Sequence, residues 1–203
     1  MTDYDIKYFF QLDEKQQIPQ NNCENYLTFD GTKLRIDTEV SKCETYFETL
    51  NEIYEIYDSV EEMFIQSDLT NELPKEIFNF KNLKSLTLEG CRWWNLSMCQ
   101  IPNSVTNLQM RVYSPSCFEG MEDLINLKVL KLLLIYGLDD EEDTSLSPLS
   151  NNPSLQHIEL YVGETWAIPK WQKVGQEHPF FKLIKDRIVS ITYDDTVIKI
   201  DLK

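Results

Sequence analysis

A chain of 203 residues with 42% apolar and 26% charged side chains has the balance of a folded domain, long enough to bury roughly 70% of the surface its unfolded form exposes. That excludes a disordered or low-complexity polymer. With 34 acidic against 19 basic residues the formal charge is -15, which repels a phosphate backbone and argues against direct nucleic-acid binding.

At the amino end, Met1, Thr2, Asp3, Tyr4 and Asp5 form neither the basic nor the apolar region of a secretory leader, and no run of 18 apolar residues follows. A cytoplasmic protein without membrane attachment is expected. From Tyr26 to Ile36, apolar and polar residues alternate around Asp30-Gly31, the pattern of a β-hairpin. Glu44 to Tyr57 then carries Phe47, Leu50, Ile53 or Tyr54, and Tyr57 at helical spacing. Hairpin and helix together predict a cap over residues 1–58.

The middle of the chain repeats an apolar frame, L-x-x-L-x-L-x-x-N/C. Its copies begin at Val60, Leu83, Val105, Leu127 and Leu155, with Met63 and Ile65, Leu86 and Leu88, Leu108 and Met110, Leu130 and Leu132, and Ile158 and Leu160 at the second and third positions. Positions two apart point to one face of a strand, so each copy predicts a short strand with an inward apolar side. One such strand cannot bury that side alone, whereas stacked parallel copies form a continuous core. Pro74, Pro102, Pro115 and Pro153 fall between copies, where a chain must turn and where one long helix would be broken.

On Leu69, Leu73, Pro74, Ile77, Phe80, Leu83, Leu86, Leu88 and Cys91 the chain resembles the leucine-rich repeat family, whose short-repeat subtypes carry L-x-x-L-P-x-x-I-x-x-L-x-x-L-x-x-L-x-L. The likeness covers residues 58–165. It implies an α/β solenoid: a right-handed coil of five to six repeats with parallel strands lining a concave surface. In that family the ninth position is usually Asn or Cys; only Cys91 fits here, so an irregular solenoid with uneven curvature is expected. The repeats are assigned to residues 59–165 of a single compact domain.

Residues 166–203 are read as a degenerate repeat and a closing cap. A helix is predicted from about Phe180 to Lys185, and Ile188, Ile191 and Tyr193 reproduce the frame as a sixth copy. A strand pair, Ser190 to Tyr193 and Val197 to Leu202 around Asp194-Asp195, is predicted to seal the end.

Motifs that would carry catalysis or a cofactor are missing from the sequence. Glycine occurs six times and in no phosphate-binding loop, and no nucleophile elbow is present. Cys23, Cys43, Cys91, Cys99 and Cys117 contain no Cys-x-x-Cys pair, and with only His157 and His178 they assemble no zinc spacing; reduced, mostly buried thiols are expected. The run Asp139 to Asp143 has adjacent rather than alternating carboxylates, a solvated loop rather than a calcium site. His157 lies two residues from Glu159 on one strand face and is read as a contact residue, not a general base.

A non-catalytic protein-binding module is therefore expected, with no cofactor or metal, as a monomer. Its contact residues are the strand positions facing away from the core. They are Glu62, Phe64 and Gln66; Ser85, Thr87 and Glu89; Asn107, Gln109 and Arg111; Val129, Lys131 and Leu133; and His157, Glu159 and Tyr161. Arg92, Trp93 and Trp94, just past the second strand, add residue types enriched in interface hot spots. The acidity, concentrated in residues 1–60 and 136–203, suits a basic partner. An immunity or antitoxin protein that occludes a basic toxin is one alternative; a leucine-rich repeat effector or a structural subunit is another.

Overall fold

A computed structural model of the chain describes residues 27–37, 53–66, 73–89, 100–112, 120–134, 147–161, 179–194 and 196–203. Among the described residues, nine strands form one open, mixed sheet. They are β1 (Leu27–Asp30), β2 (Lys33–Asp37), β3 (Glu62–Gln66), β4 (Ser85–Glu89), β5 (Asn107–Val112), β6 (Val129–Leu134), β7 (His157–Tyr161), β8 (Ile188–Asp194) and β9 (Val197–Leu202). The spatial order is β1-β2-β3-β4-β5-β6-β7-β9-β8. All pairings from β2 to β7 are parallel, while β1 with β2, β9 with β7 and β8 with β9 are antiparallel.

The frame leucines line up across this sheet. Leu86 pairs with Leu108, Leu108 with Leu130 and Leu130 with Ile158, and the row runs on to Met63 and Leu34 on one side and Ile200 on the other. A second row joins Ile36, Ile65, Leu88, Met110, Leu132, Leu160 and Ile198. Every residue of both rows is buried. At roughly 2 kcal/mol for each buried aliphatic side chain, these rows make a large contribution to the driving force for folding.

Each parallel strand is entered in one way, which keeps the rows in register. The carbonyl just before β3, Glu61, accepts the amides of Lys84 and Ser85 at 2.8 and 3.0 Å. Lys84 accepts Thr106 and Asn107, Thr106 accepts Lys128 and Val129, and Lys128 accepts Gln156 and His157, all at 2.8–3.0 Å. Side chains one position ahead of the frame add a second ladder: Asn82 donates to the Asp58 carbonyl at 2.7 Å, Asn126 to Asn103 at 2.8 Å, and Ser154 to Ile125. Thus short polar residues satisfy carbonyls left by the turns.

Short helices cover the core side of the sheet: α1 (Ser147–Asn151), α2 (Pro179–Ile184) and 3₁₀ turns at Tyr54–Ile56, Lys75–Asn79, Met121–Asp123 and Lys185–Arg187. They contribute Ile77, Phe80, Met121, Leu124, Leu149, Phe181 and Ile184 to the core. Asn152 occupies, three residues before Leu155, the place that Phe80 and Leu124 take before Leu83 and Leu127. It is fully buried, and its amide makes four hydrogen bonds: donating to Met121 and Leu124 carbonyls (2.7 and 3.1 Å) and accepting from the Ser154 and Leu155 amides (2.9 and 3.1 Å). Complete pairing is what lets an amide replace an apolar side chain there.

The amino-terminal hairpin turns at Gly31, whose φ of 61° suits a residue without a Cβ, and then does more than cap. Thr32 accepts the amides of Glu61 and Glu62 (2.8 and 3.1 Å), so β2 joins the parallel array and supplies Leu34 and Ile36 to the core rows. Of the helix predicted from Glu44 to Tyr57, the described part contains one 3₁₀ turn, Tyr54–Ile56; the remainder lies outside the described residues.

At the other end the expected sixth copy is corrected. The strand beside β7 is β9, running antiparallel, and Ile188, Ile191 and Tyr193 belong to the outermost strand, β8. The physical reason is alternation. β9 buries Ile198, Ile200 and Leu202 at strict two-residue spacing, while β8 has a register shift between Ile188 and Ser190, leaves Val189 exposed and only half-buries Ile188, Ile191 and Tyr193. Arg187 ties this end down, its guanidinium donating to the Asn152 and Leu155 carbonyls at 2.5 Å each.

Candidate functional site

Alternation in the strands sends every residue between the core positions to the opposite, outer face of the sheet. The registers place them in rows. One row runs Lys33, Glu62, Ser85, Asn107, Val129, His157, Asp201, Ser190; the next runs Arg35, Phe64, Thr87, Gln109, Lys131, Glu159, Lys199, Thr192. The predicted contact residues Phe64, Thr87, Gln109, Lys131, His157 and Glu159 therefore stand side by side, half-buried, with Gln66 and Tyr161 one step further along β3 and β7.

Three expected contact residues are not available on that face. Glu89, Arg111 and Leu133 are only 5%, 7% and 2% exposed, although they point away from the core rows. They lie at or near the carboxyl ends of β4, β5 and β6. Glu89 and Arg111 each stand one residue past Leu88 and Met110, the last pair in the β4–β5 register. Arg92, Trp93, Trp94, the run Asp139 to Asp143, all five cysteines and His178 lie outside the described residues.

At the amino-terminal end of the open rows, Arg35 lies over the Phe64 ring with 4.2 Å to its centroid and donates to Gln66 at 3.4 Å. Beside it Lys33 pairs with Glu62 at 3.0 Å. Guanidinium on an aromatic face is held by the ring quadrupole and fixes both side chains at small entropic cost.

The carboxyl-terminal end holds a continuous polar network. Lys131 pairs with Glu159 at 3.0 Å, and the Tyr161 hydroxyl donates to the same carboxylate at 2.9 Å. His157 sits between two acids, Nε2 3.2 Å from Glu159 Oε1 and Nδ1 2.8 Å from Asp201 Oδ1. The Ser190 hydroxyl donates to the other Asp201 oxygen at 2.6 Å. Burial pushes the Glu159 carboxyl up, but the bonds from Lys131, Tyr161 and His157 together outweigh it and hold the group below the usual carboxylate range. Asp201 is likewise held low, by Ser190 first and His157 next. Burial and then the neighbouring Glu159 carboxylate push the Tyr161 hydroxyl up.

This geometry bears on His157 directly. A hydrolytic triad sets a nucleophile against one ring nitrogen and an acid against the other; here both nitrogens face carboxylates, and Ser190 bonds to Asp201 rather than to the ring. Among the described residues, no group of three or more His, Cys, Asp or Glu could hold a metal ion, and no helix is long and apolar enough to cross a membrane.

Sequence reasoning missed the outer-face residues of the two ends: Lys33 and Arg35 on β2, Asp201 and Lys199 on β9, and Ser190 on β8. The signal was present, because each strand alternates with apolar core residues; it was assigned to capping rather than to extending the face. No family model matches the chain, and no curated protein sequence matches it significantly.

Proposed function

We propose that the chain is an irregular leucine-rich-repeat-type solenoid acting as a non-catalytic protein-binding module of the cytoplasm, with the outer strand face as its contact surface and a basic protein as its partner. The observation that carries this reading is the pair of open rows crossing β2 to β8, in which charged, amide, hydroxyl and aromatic side chains are held in register. A ruled strip of mixed chemistry suits a protein partner better than a small molecule, which needs enclosure. The net charge of -15 gives such a partner long-range attraction if it is basic.

Eight strands about 4.8 Å apart, with two open rows, make a strip roughly 34 Å by 10 Å. A standard interface takes about 800 Å² from each side, so the partner must also touch segments beyond the strands. Arg92, Trp93 and Trp94, which follow β4 in sequence, are the residues of choice for that extension. An immunity protein occluding a basic toxin is the narrower form of the same reading, motivated by small size, strong acidity and the lack of catalytic motifs in the sequence.

The test is capture of native partners on immobilised chain at low and high salt. Wild type is compared with Phe64→Ala/Gln109→Ala on the open rows and with Phe78→Ser, an exposed residue away from the strands, as control. The expected result is a basic protein retained by wild type and control, lost from the double variant and weakened by salt. Equal retention by the double variant removes the outer face as the contact surface; a partner without basic character removes the electrostatic part.

A further inference from the structure

The sheet is open at both ends, and its two edges are finished differently. β1 is four residues long and ends in the exposed Asp30, whereas β8 runs for seven residues and from Ile188 to Tyr193 contains no charge, proline or glycine. Five of those six residues are β-branched or aromatic, the types that favour strands. Among the described residues β8 pairs with β9 alone, so alternate amide and carbonyl groups along its other side have no strand to meet. Its one blunting feature, the register shift between Ile188 and Ser190, sits at the amino end and leaves Ser190 to Asp194 in unbroken pairing with β9.

We propose that β8 is a self-association edge: it pairs antiparallel with β8 of a second copy about a two-fold axis through Thr192, closing a dimer in which the two sheets run into one another. In that register Ile191 of each copy stands opposite Tyr193 of the other. Both residues face the core side, beside Ile200 and Ile198 of β9, yet both are only half-buried, because the core rows stop there. The two-fold supplies each with the apolar cross-strand neighbour it lacks, so the rows pass from one copy into the next.

Charge selects the same end and the same occupant. Residues 179–203 hold five basic and four acidic side chains, a net of +1, while the preceding 178 residues hold 14 basic and 30 acidic, a net of -16. Copies of so acidic a chain repel one another. That repulsion is least where they meet by the β8 end, and a net of +1 there offers a basic partner no attraction. Close to the axis the acid of the strand itself is neutralised, since Lys199 pairs with Asp194 at 3.3 Å. The axis stands perpendicular to the sheet, so both outer faces look the same way and the dimer doubles the strip of open rows. This inference does not rest on the binding function proposed for that strip, and it replaces the monomer expected from the sequence.

The test is sedimentation velocity of the full chain over a concentration series, wild type beside Thr192→Lys and Thr192→Glu. Thr192 is exposed in an outer row, so both variants keep the core intact and should match the urea midpoint of wild type. A ladder of five residues covers less than a standard interface, so the expected wild-type result is a monomer–dimer equilibrium with a Kd of about 10–100 µM. Each variant alone brings two like charges together at the axis and should weaken dimerisation about tenfold or more. An equimolar mixture of the two sets opposite charges there and should dimerise as tightly as wild type. A wild-type chain still monomeric at about 1 mM, species that grow beyond the dimer, or variants that associate like wild type overturn the proposal. A mixture no tighter than either variant alone overturns it as well.

Discussion

The two faces of the sheet are built by the same strands yet obey different constraints. On the core face the rows are uniform, aliphatic side chains from Leu34 to Ile200 and from Ile36 to Ile198, because a packed interior tolerates little change in volume. On the outer face the same register displays Arg35, Phe64, Thr87, Gln109, Lys131 and Glu159 in succession, with no type repeated. Stacking dictates the first set; it leaves the second free to vary. The contrast separates residues that make the fold from residues able to carry recognition.

Substitutions can break that separation, and their expected effects fall in order. Leu130→Ala, in the middle of a core row, should cost about 2–5 kcal/mol by urea denaturation, since a cavity remains between Leu108 and Ile158. Next comes Asn152→Ala, expected to cost on the order of 2–3 kcal/mol because the carbonyls of Met121 and Leu124 and two amides lose a buried partner. A loss comparable to Leu130→Ala would place this amide among the principal determinants of the fold. Arg187→Ala should cost about 1–2 kcal/mol and raise hydrogen exchange chiefly in β8 and β9, the strands it anchors.

Lys131→Ala is expected to change stability by less than about 1 kcal/mol, as its ion pair with Glu159 is partly exposed, while weakening partner binding more than folding. A core-sized loss from Lys131→Ala would erase the distinction between the faces. Acid titration sharpens the same point. Glu159 and Asp201 have lowered carboxyl pKa values, so their contribution is complete above the ordinary carboxylate range and is lost as pH falls through the folded values. Replacing Glu159 by Gln should flatten the acid limb of the stability profile measured by urea midpoints.

Much of the core was legible because a period is a strong signal. Leu86, Leu108, Leu130 and Ile158 recur at the same frame position, and the strand register unites them. The ends were harder to read. Ile191 and Tyr193 match the frame in spacing, but spacing cannot tell a parallel strand from an antiparallel one, and the β9 residues Ile198 and Ile200 compete for the same edge. Within the outer face, alternation placed Phe64, Gln109 and His157 in the rows, whereas the burial of Glu89, Arg111 and Leu133 leaves no mark in the alternation, which treats them like their exposed neighbours. The link between His157 and Asp201 spans 44 positions and is created by an antiparallel pairing no repeat frame encodes.

The most direct test of the stacked rows is a methyl-labelled nuclear Overhauser spectrum of the whole chain. Register predicts a consecutive chain of contacts from Leu86 to Leu108, Leu130 and Ile158, each methyl group meeting its row neighbour on the adjacent strand. Methyl contacts that skip a strand, or that join Leu130 to the side chain of Gln109 or Glu159 on the other face, would contradict both the shared core and the surface it is held to display.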